Sequence, residues 1–311
     1  MKNIKVLLRI AIILFALSLF ITNTSNAETE SANDFEWTYT VENEKAVDVY
    51  ISSGIITSSI TVPDTLGGYP VARLGTGKFN FINNANSTKL YNIYLPSSLE
   101  EINDYAFSSM SYVRTIGLAT DSTRLPNVTK IGKNAFFYDS SLSTIILPET
   151  LTSIGEQAFY WNNSLSTIIL PESLTNIGNQ AFYCCRNLSS VNISGSITEL
   201  GTNIFSSCTS LSTVNFSEGL TKIGAGMFNY TGVRSITLPS TITVIEDMAF
   251  SSCSSLTEIT PLDNVTIIGN NAFVSCNNLT NFKIGSSIEK IGINALFGVK
   301  DTYINKEEGT V

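Results

Sequence analysis

Residues 151–159 read LTSIGEQAF, and residues 174–182 repeat nearly the same nine letters as LTNIGNQAF. The phenylalanine that ends each copy recurs along the chain, at Phe107, Phe136, Phe159, Phe182, Phe205, Phe228, Phe250 and Phe273, and Leu296 continues the series. Successive members are separated by 29, 23, 23, 23, 23, 22, 23 and 23 residues. A fixed period of this length predicts a solenoid in which each repeat forms one coil.

One coil can be interpreted from residues 142–159, LSTIILPETLTSIGEQAF. Its apolar positions are predicted to point inward: Leu142, Ile145, Leu147, Leu151, Ile154, Ala158 and Phe159. Pro148 ends the first short strand because it cannot donate a ladder hydrogen bond, and Gly155 is interpreted as a turn residue with unrestricted φ. A single coil cannot bury this set. Stacked coils bury it against its equivalents, so the repetition is the core.

The predicted fold class is therefore a leucine-rich repeat solenoid of about ten coils, with short parallel strands on its concave face. The solenoid is placed at residues 60–296, with Phe79 marking an irregular first unit and a six-residue insertion around Thr120 to Pro126. Residues 28–59 are assigned to a flexible leader, Glu28 to Asp34, and a small β cap. The cap is a hairpin over residues 35–50, split by residues 42–44. Residues 297–311 are a C-terminal cap or tail, the alternatives being a fragment end or an end that meets a partner.

The first 27 residues have the pattern of a secretory signal peptide. Lys2, Lys5 and Arg9 precede an apolar run over residues 10–21, and small residues precede a cleavage site after Ala27. The expectation is a secreted or cell-surface protein with no membrane insertion after the signal is removed. Removal changes the formal charge from -8 to -8 - 3 = -11. An acidic chain without a basic stripe is a poor nucleic-acid binder, so no nucleic-acid partner is expected.

The sequence contains no histidine. This excludes Ser-His-Asp and Cys-His catalysis and every His-ligated metal site. An alternative is a glycan hydrolase with two carboxylates, for which Glu149 and Glu172 occupy equivalent positions in adjacent coils. Their Pro and Ser neighbours indicate an exposed turn without a pocket. The prediction is a protein that is not an enzyme, with no catalytic residues, no metal and no cofactor.

The repeat pattern LxxIxLPxxLxxIGxxAFxxCxxL resembles the BspA-type (Treponema-type) leucine-rich repeat of bacterial and protist surface proteins. The resemblance covers about residues 60–296, and residues 62–75, VPDTLGGYPVARLG, are similar to the usual opening unit. The chain departs from the pattern where Asn103 and Glu246 replace the turn glycine, and where Met227 and Pro261 replace Ala and an apolar residue. The resemblance implies adhesion to host matrix proteins, host cells or other microbes.

Four cysteines share one slot, three residues after the unit phenylalanine: Cys185, Cys208, Cys253 and Cys276. Adjacent coils would bring Cys185 near Cys208 and Cys253 near Cys276, and a secreted chain permits disulfides. Buried free thiols are favoured, because Cys is often a small core residue and the same slot holds Met, Asp, Asn or Thr in other coils. Cys184 is the exception and a candidate for exposure. One ladder of cysteines offers no tetrahedral zinc site.

Two lanes of outward residues are candidate partner-binding surfaces. On the strand face the candidates are Tyr91, Tyr94, Arg114, Ile146 and Ile169, an apolar group on an otherwise polar face. Strand propensity is the better explanation of the two isoleucines, and the tyrosines are the stronger candidates because they are amphipathic anchors. In the two positions after the unit phenylalanine, which are mostly Ser elsewhere, the candidates are Phe137, Tyr138, Tyr160, Trp161 and Tyr183. Stacked, they would form an aromatic platform, or one column would tuck into the coil edge.

The functional prediction is a secreted or surface-associated protein that binds an extracellular protein or glycan without catalysis. The alternative is a structural spacer or a fragment of a larger cell-surface protein.

Overall fold

The computed structural model describes residues 27–33, 35–54, 58–75, 90–280, 282–300 and 302–304. Over these ranges the chain is a β-solenoid of about ten turns, with regular structure in strands and none in helices. The predicted solenoid is confirmed. The signal peptide before Ala27 and the coil at Phe79 lie outside the described residues.

The N-terminal cap is a three-stranded antiparallel sheet of β1 (Glu28–Ala32), β2 (Phe35–Glu42) and β3 (Lys45–Gly54). Asn43 and Glu44 between β2 and β3 have φ of 51° and 59°, as a two-residue hairpin turn requires. The hairpin is therefore present as expected. The flexible leader is not, because β1 pairs with β2 over five residues. The polar sequence ETESA gives no apolar pattern that would indicate a strand. This edge strand is held by backbone hydrogen bonds and by the Trp37 indole N–H, which donates to the Ala32 carbonyl.

The coils contribute strands to two parallel ladders, and in the coils of Thr144 and Thr167 the first ladder is reduced to an isolated bridge between these two residues. The first ladder holds the strand that precedes the proline position: β4 (Ser59–Thr61), β8 (Asn92–Leu95), β10 (Thr115–Leu118), β14 (Ser190–Ile193), β16 (Thr213–Phe216), β18 (Ser235–Thr237), β20 (Glu258–Thr260), β22 (Phe282–Ile284) and β24 (Thr302–Ile304). Its pairings are in register at one coil per strand, as between β8 and β10. The strand β24 shows that residues 302–304 continue this ladder by pairing with β22.

The second ladder holds two-residue strands: β7 (Arg73–Leu74), β9 (Glu101–Ile102), β11 (Lys130–Ile131), β12 (Ser153–Ile154), β13 (Asn176–Ile177), β15 (Glu199–Leu200), β17 (Lys222–Ile223), β19 (Val244–Ile245), β21 (Ile267–Ile268) and β23 (Lys290–Ile291). A small hairpin, β5 (Thr65–Leu66) with β6 (Tyr69–Pro70), precedes it. The cap joins the solenoid through Val49 of β3, which pairs in parallel with Leu74.

The core consists of columns of identical residues. From Phe107 to Phe273, the eight unit phenylalanines have no exposed surface and stack with ring centroids 4.9–5.9 Å apart. The leucine and isoleucine positions of each coil are buried in the same way, as at Leu142 and Ile154. The inward set predicted from the sequence is confirmed.

The glycine at position 155 and its equivalents have a different role from the one expected. A Cβ on Gly155 would lie 2.6 Å from the Gly132 carbonyl carbon, and one on Gly178 would lie 2.4 Å from the Glu156 nitrogen. The glycine thus permits the backbones of adjacent coils to touch, and its φ is not positive. The left-handed residues lie instead two positions before and after the phenylalanine, as at Gln157 (φ 55°) and Trp161 (φ 61°).

The six-residue insertion lies around Thr120 to Pro126, as predicted, and its backbone pairs with the first ladder. Leu118 bridges antiparallel to Asp121, and Arg124 bridges in parallel to Ile146. The Ile146 N–H donates to the Thr123 carbonyl at 2.7 Å. The inserted residues therefore lie between β10 and the next coil.

All five cysteines are free and buried. Cys185, Cys208, Cys253 and Cys276 are fully buried, as the interpretation of core thiols required, and burial raises the pKa of the Cys253 thiol to about 11. The expected exposure of Cys184 is wrong, since only 4% of its surface is accessible. Its short side chain shares a column with Trp161, over which the longer Arg186 side chain extends.

Candidate functional site: an aromatic ridge on three coils

The turns that carry the unit phenylalanine form a third hydrogen-bonded lane. Gln157, Phe159 and Trp161 donate their N–H groups to the carbonyls of Asn179, Ala181 and Tyr183 at 2.7–2.8 Å. These bonds fix each turn directly against the turn of the next coil. Side chains at equivalent positions must therefore stack.

Five aromatic side chains in this lane form what we call the aromatic ridge: Phe137, Tyr138, Tyr160, Trp161 and Tyr183. In its first column, Tyr160 stacks on Phe137 at 5.1 Å and on Tyr183 at 5.0 Å, each with an interplanar angle of 8°. In its second column, Tyr138 stacks on Trp161 at 5.1 Å and 11°. The columns also touch, with Phe137 5.4 Å from Tyr138. The structure thus assembles all five residues selected from the sequence on this lane.

Arg186 extends the second column. Its guanidinium lies 5.3 Å from the centre of the Trp161 ring, within cation–π distance. Arg186 belongs to the coil after Trp161, and Tyr138 belongs to the coil before it. The Trp161 ring is therefore covered on both faces. The sequence analysis missed Arg186, although its position two residues after the small Cys184 was a signal that a longer side chain could occupy the column.

Both columns reach the surface. Tyr138 is 39% exposed, and Phe137, Tyr160, Trp161 and Tyr183 are partly buried. Burial raises the pKa of the Tyr160 hydroxyl above its ordinary value. The alternative, in which one column packs into the coil edge and only the other is exposed, therefore does not apply. Whether the ridge binds a partner remains a prediction.

The second column stands on strained backbone. Tyr138 and Trp161 have φ of 65° and 61°, and the same turn position is left-handed in Ser109, Ser207 and Ser252. A residue with a Cβ in this conformation costs about 1–2 kcal/mol relative to the right-handed region. An aromatic ring at this position therefore brings no backbone advantage over Ser, Asn or Gly.

The strand-face candidates do not form one patch. Arg114 lies over the Tyr91 ring at 5.0 Å, and Tyr94 is half-buried beside them in the same ladder. Ile146 is partly buried and pairs with Arg124 of the insertion, which lies between it and β10. Ile169, 68% exposed, is one coil further on. The apolar group named from the sequence is thus divided by the inserted segment.

Beneath the ridge lies a carboxyl group that the sequence analysis treated only as an occupant of the cysteine slot. In that slot Asn162 donates its amide to the Phe136 carbonyl at 2.7 Å, and Cys185 points its thiol to the Phe159 carbonyl at 3.2 Å. Asp139 is fully buried, its Oδ1 accepts the Met110 N–H at 2.6 Å, and its Oδ2 has no partner. Burial raises the pKa of Asp139 well above its usual range, and the Met110 bond opposes this only in part. A protonated Asp139 would supply the donor that this slot uses in other coils.

Outside the ridge the described surface carries scattered exposed apolar side chains, the most exposed being Ile293 and Phe297 in the last coil. Two open grooves, of 420 and 510 Å³, lie on the first ladder beside β16–β18 and β20–β22. The first is lined mainly by Ser, Thr and Asn, and the second by Thr together with apolar and charged side chains. Within the described ranges no group of three or more His, Cys, Asp or Glu side chains is positioned to hold a metal ion. Glu172 accepts a hydrogen bond from the Ser194 hydroxyl on an exposed turn.

Stacked coils, parallel ladders and a columnar phenylalanine core define a leucine-rich repeat solenoid. The family model for the BspA type leucine rich repeat region matches the sequence in six copies, over residues 77–136, 129–257 and 221–308. The chain belongs to this family. Proteins of this type are typically found at cell surfaces, and leucine-rich repeats are typically non-catalytic binding scaffolds.

Solved structures with the same fold are bacterial leucine-rich repeat proteins. One from Bacteroides ovatus is 22% identical, with a TM-score of 0.53 over 86% of this chain and 92% of that chain. The pneumococcal vaccine antigen PcpA is 20% identical, with a TM-score of 0.54 over 92% of this chain and 89% of that chain. One from Eubacterium ventriosum is 17% identical, with a TM-score of 0.50 over 92% and 98%. Comparison with curated proteins found no match. The described part of the chain contains no helix with the length and apolar character of a membrane span.

Proposed function

We propose that this protein is exported and binds an extracellular partner noncovalently through the aromatic ridge, in an adhesion-type role. The observation that carries the proposal is the pair of stacked aromatic columns at Phe137–Tyr183, on a lane that is mostly Ser in other coils. Tyr and Trp are enriched at binding hot spots because they offer large contact areas with few rotatable bonds. Stacking holds these rings in place before a partner arrives, which reduces the entropy lost on binding.

The ridge is not needed to build the turn. Ser207 and Ser252 occupy the position of Trp161 in other coils, and their N–H groups make the same bond to the next coil at 2.8 and 2.7 Å. The phenylalanine core beneath is continuous through ridge and non-ridge coils alike. The large side chains therefore add exposed surface where a small one completes the fold, which supports a role in binding.

Binding of the protein from Glu28 onward to an array of extracellular matrix proteins and glycans tests the proposal. The ridge variant is Tyr160→Ser/Trp161→Ser, which installs the residue type of the other coils. The control is Tyr230→Ser, because Tyr230 has the same left-handed turn position, is 58% exposed and lies outside the ridge. We expect saturable binding that the ridge variant loses and the control keeps. A ligand bound equally by all three proteins would place the binding site outside the ridge, and no ligand at micromolar concentration would favour the spacer alternative.

Export is tested separately. Cleavage after Ala27 would leave Glu28 as the first residue, and β1 begins at Glu28. N-terminal sequencing of protein secreted by a bacterial host should give ETESA. Retention of the first 27 residues in the exported protein would contradict the assignment.

A further inference from the structure

We infer that the aromatic ridge binds an acidic segment of a partner protein, through ring edges, tyrosine hydroxyls and the Arg186 guanidinium. This inference rests on the proposed function and names the chemistry of the partner. It is distinct from stacking on sugar rings, which the same aromatic residues would otherwise suggest.

The ring faces along the columns are already occupied. Tyr160 has Phe137 on one face and Tyr183 on the other, at 5.1 and 5.0 Å. Trp161 has Tyr138 on one face, and Arg186 on the other at 5.3 Å. A sugar needs a free ring face to stack on, and the central rings offer only edges. The edge of an aromatic ring carries the positive end of its quadrupole and therefore attracts oxygen acceptors.

The charged residues around the ridge also favour an acidic partner. The turn segments of its three coils, 132–140, 155–163 and 178–186, contain four charge-bearing residues: Lys133, Asp139, Glu156 and Arg186. Lys133 and Glu156 pair with each other at 2.9 Å. Asp139 is buried, and burial favours its neutral form by raising its pKa.

Of these four residues, Arg186 carries the charge that no opposite charge balances. It is exposed, and it forms no ion pair within the described residues. The surrounding chain carries a formal charge of -8, or -8 - 3 = -11 without the predicted signal. The ridge is therefore a locally positive site on an acidic molecule. A carboxylate can accept from the guanidinium and from a tyrosine hydroxyl at once, and such charge-assisted bonds are stronger than neutral ones.

Trp161 allows binding at the ridge to be followed by fluorescence. The sequence has two tryptophans, and Trp37 is fully buried in the cap while Trp161 reaches the surface. Changes in tryptophan fluorescence on titration therefore report mainly on Trp161. The probes are a short peptide of alternating Glu and Gly, the corresponding Lys and Gly peptide, and cellohexaose.

We expect the Glu peptide to bind saturably and the other two probes not to bind. Arg186→Gln should weaken binding of the Glu peptide roughly fivefold, the effect of about 1 kcal/mol from one partly exposed charge pair. Added salt should weaken it as well. Arg186→Lys should retain part of the affinity, and the control Arg234→Gln, an exposed arginine outside the ridge, should retain all of it. Thermal unfolding checks that each variant is folded.

Three results would overturn the inference: no saturable binding of the Glu peptide, binding that is indifferent to Arg186→Gln and to salt, or a tryptophan response to cellohexaose instead. The variants also distinguish failure of this inference from failure of the proposed function. If an array ligand is lost in Tyr160→Ser/Trp161→Ser but binds Arg186→Gln with unchanged affinity, the ridge still binds, and only its preference for acidic partners is wrong. If neither variant changes any ligand, both proposals fail.

Discussion

The coils that carry the ridge and the coils that follow them share the turn around the unit phenylalanine and differ at the surface of that turn. At Phe159 and at Phe250 the core ring stacks on its neighbours at 4.9–5.4 Å, and the turn hydrogen bonds are alike. Two residues later one coil has Trp161 and the other Ser252. Inward positions therefore determine the coil, while outward positions can change without altering it. This difference predicts that substitutions in the two sets will differ in size and in what they affect.

The largest effect should come from the core ring beneath the ridge. Phe159→Ala removes a fully buried ring from the middle of the phenylalanine column, and such truncations cost about 3–5 kcal/mol. Urea unfolding measures the loss in free energy of unfolding. Phe250→Ala is the matched variant outside the ridge. Equal losses in both would show that the core is uniform, whereas a loss below that of Tyr160→Ser would contradict the separation of core and surface.

A second test compares the contact between coils at two equivalent glycines. A Cβ on Gly178 would lie 2.4 Å from the Glu156 nitrogen, whereas one on Gly224 would lie 3.3 Å from the Gly201 oxygen. Gly178→Ala should cost about 1–3 kcal/mol, because backbone cannot move aside as a flexible side chain can. Gly224→Ala should cost clearly less. Similar losses for both variants, by the same unfolding measurement, would mean that the coils separate easily and that close contact is not the reason for glycine.

The third test uses the buried carboxyl under the ridge. Because burial raises the pKa of Asp139 in the folded protein, folding takes up a proton. The folded state is therefore favoured most below the unfolded pKa of about 3.9, and this contribution is lost as pH rises toward the folded pKa. Asp139→Asn can donate as Asn162 does. It should remove this pH dependence and, since it fills an unsatisfied position, raise the stability near neutral pH by about 1–3 kcal/mol.

Unfolding of the wild type and Asp139→Asn at about pH 4 and about pH 7 gives the comparison. The gap between the two proteins should widen toward neutral pH. Parallel pH profiles would show that Asp139 is ionised in the folded protein and that its slot does not require a donor. Asn162→Ala serves as a control, since it removes the donor from the next coil without a titratable group.

The features that could be predicted from the sequence are those that repetition specifies. The period of 23 residues and the inward residues followed from counting, because each coil must bury the same positions. The strand β1 could not be predicted, since an edge strand held by backbone bonds needs no apolar pattern. The true role of Gly155 was also hidden, because a close approach between coils lies in three dimensions and not in the local sequence.

The candidate site was predicted in part for the same reason. Identical spacing ensured that Tyr160 would stack beside Phe137 and Tyr183. The position of Arg186 over Trp161 depends on a long side chain reaching back by one coil, which no period specifies. The insertion that separates Ile146 from Tyr94 was located from the spacing, but its backbone pairing with Ile146 appeared only in the structure.

The smallest effect on stability should come from the ridge itself. Tyr160→Ser removes two stacking contacts at 5.1 and 5.0 Å. Aromatic pairs contribute about 0.5–1.5 kcal/mol each, and partial exposure puts these two at the lower end, for a total of about 1 kcal/mol. The loss should stay well below that of Phe159→Ala, because no buried cavity forms and Ser is the residue that other coils use. Binding should respond in the opposite order, with Tyr160→Ser/Trp161→Ser losing the ligand while remaining folded. A ridge substitution that unfolds the protein would assign these rings to the core, and the distinction between the two kinds of coil would no longer hold.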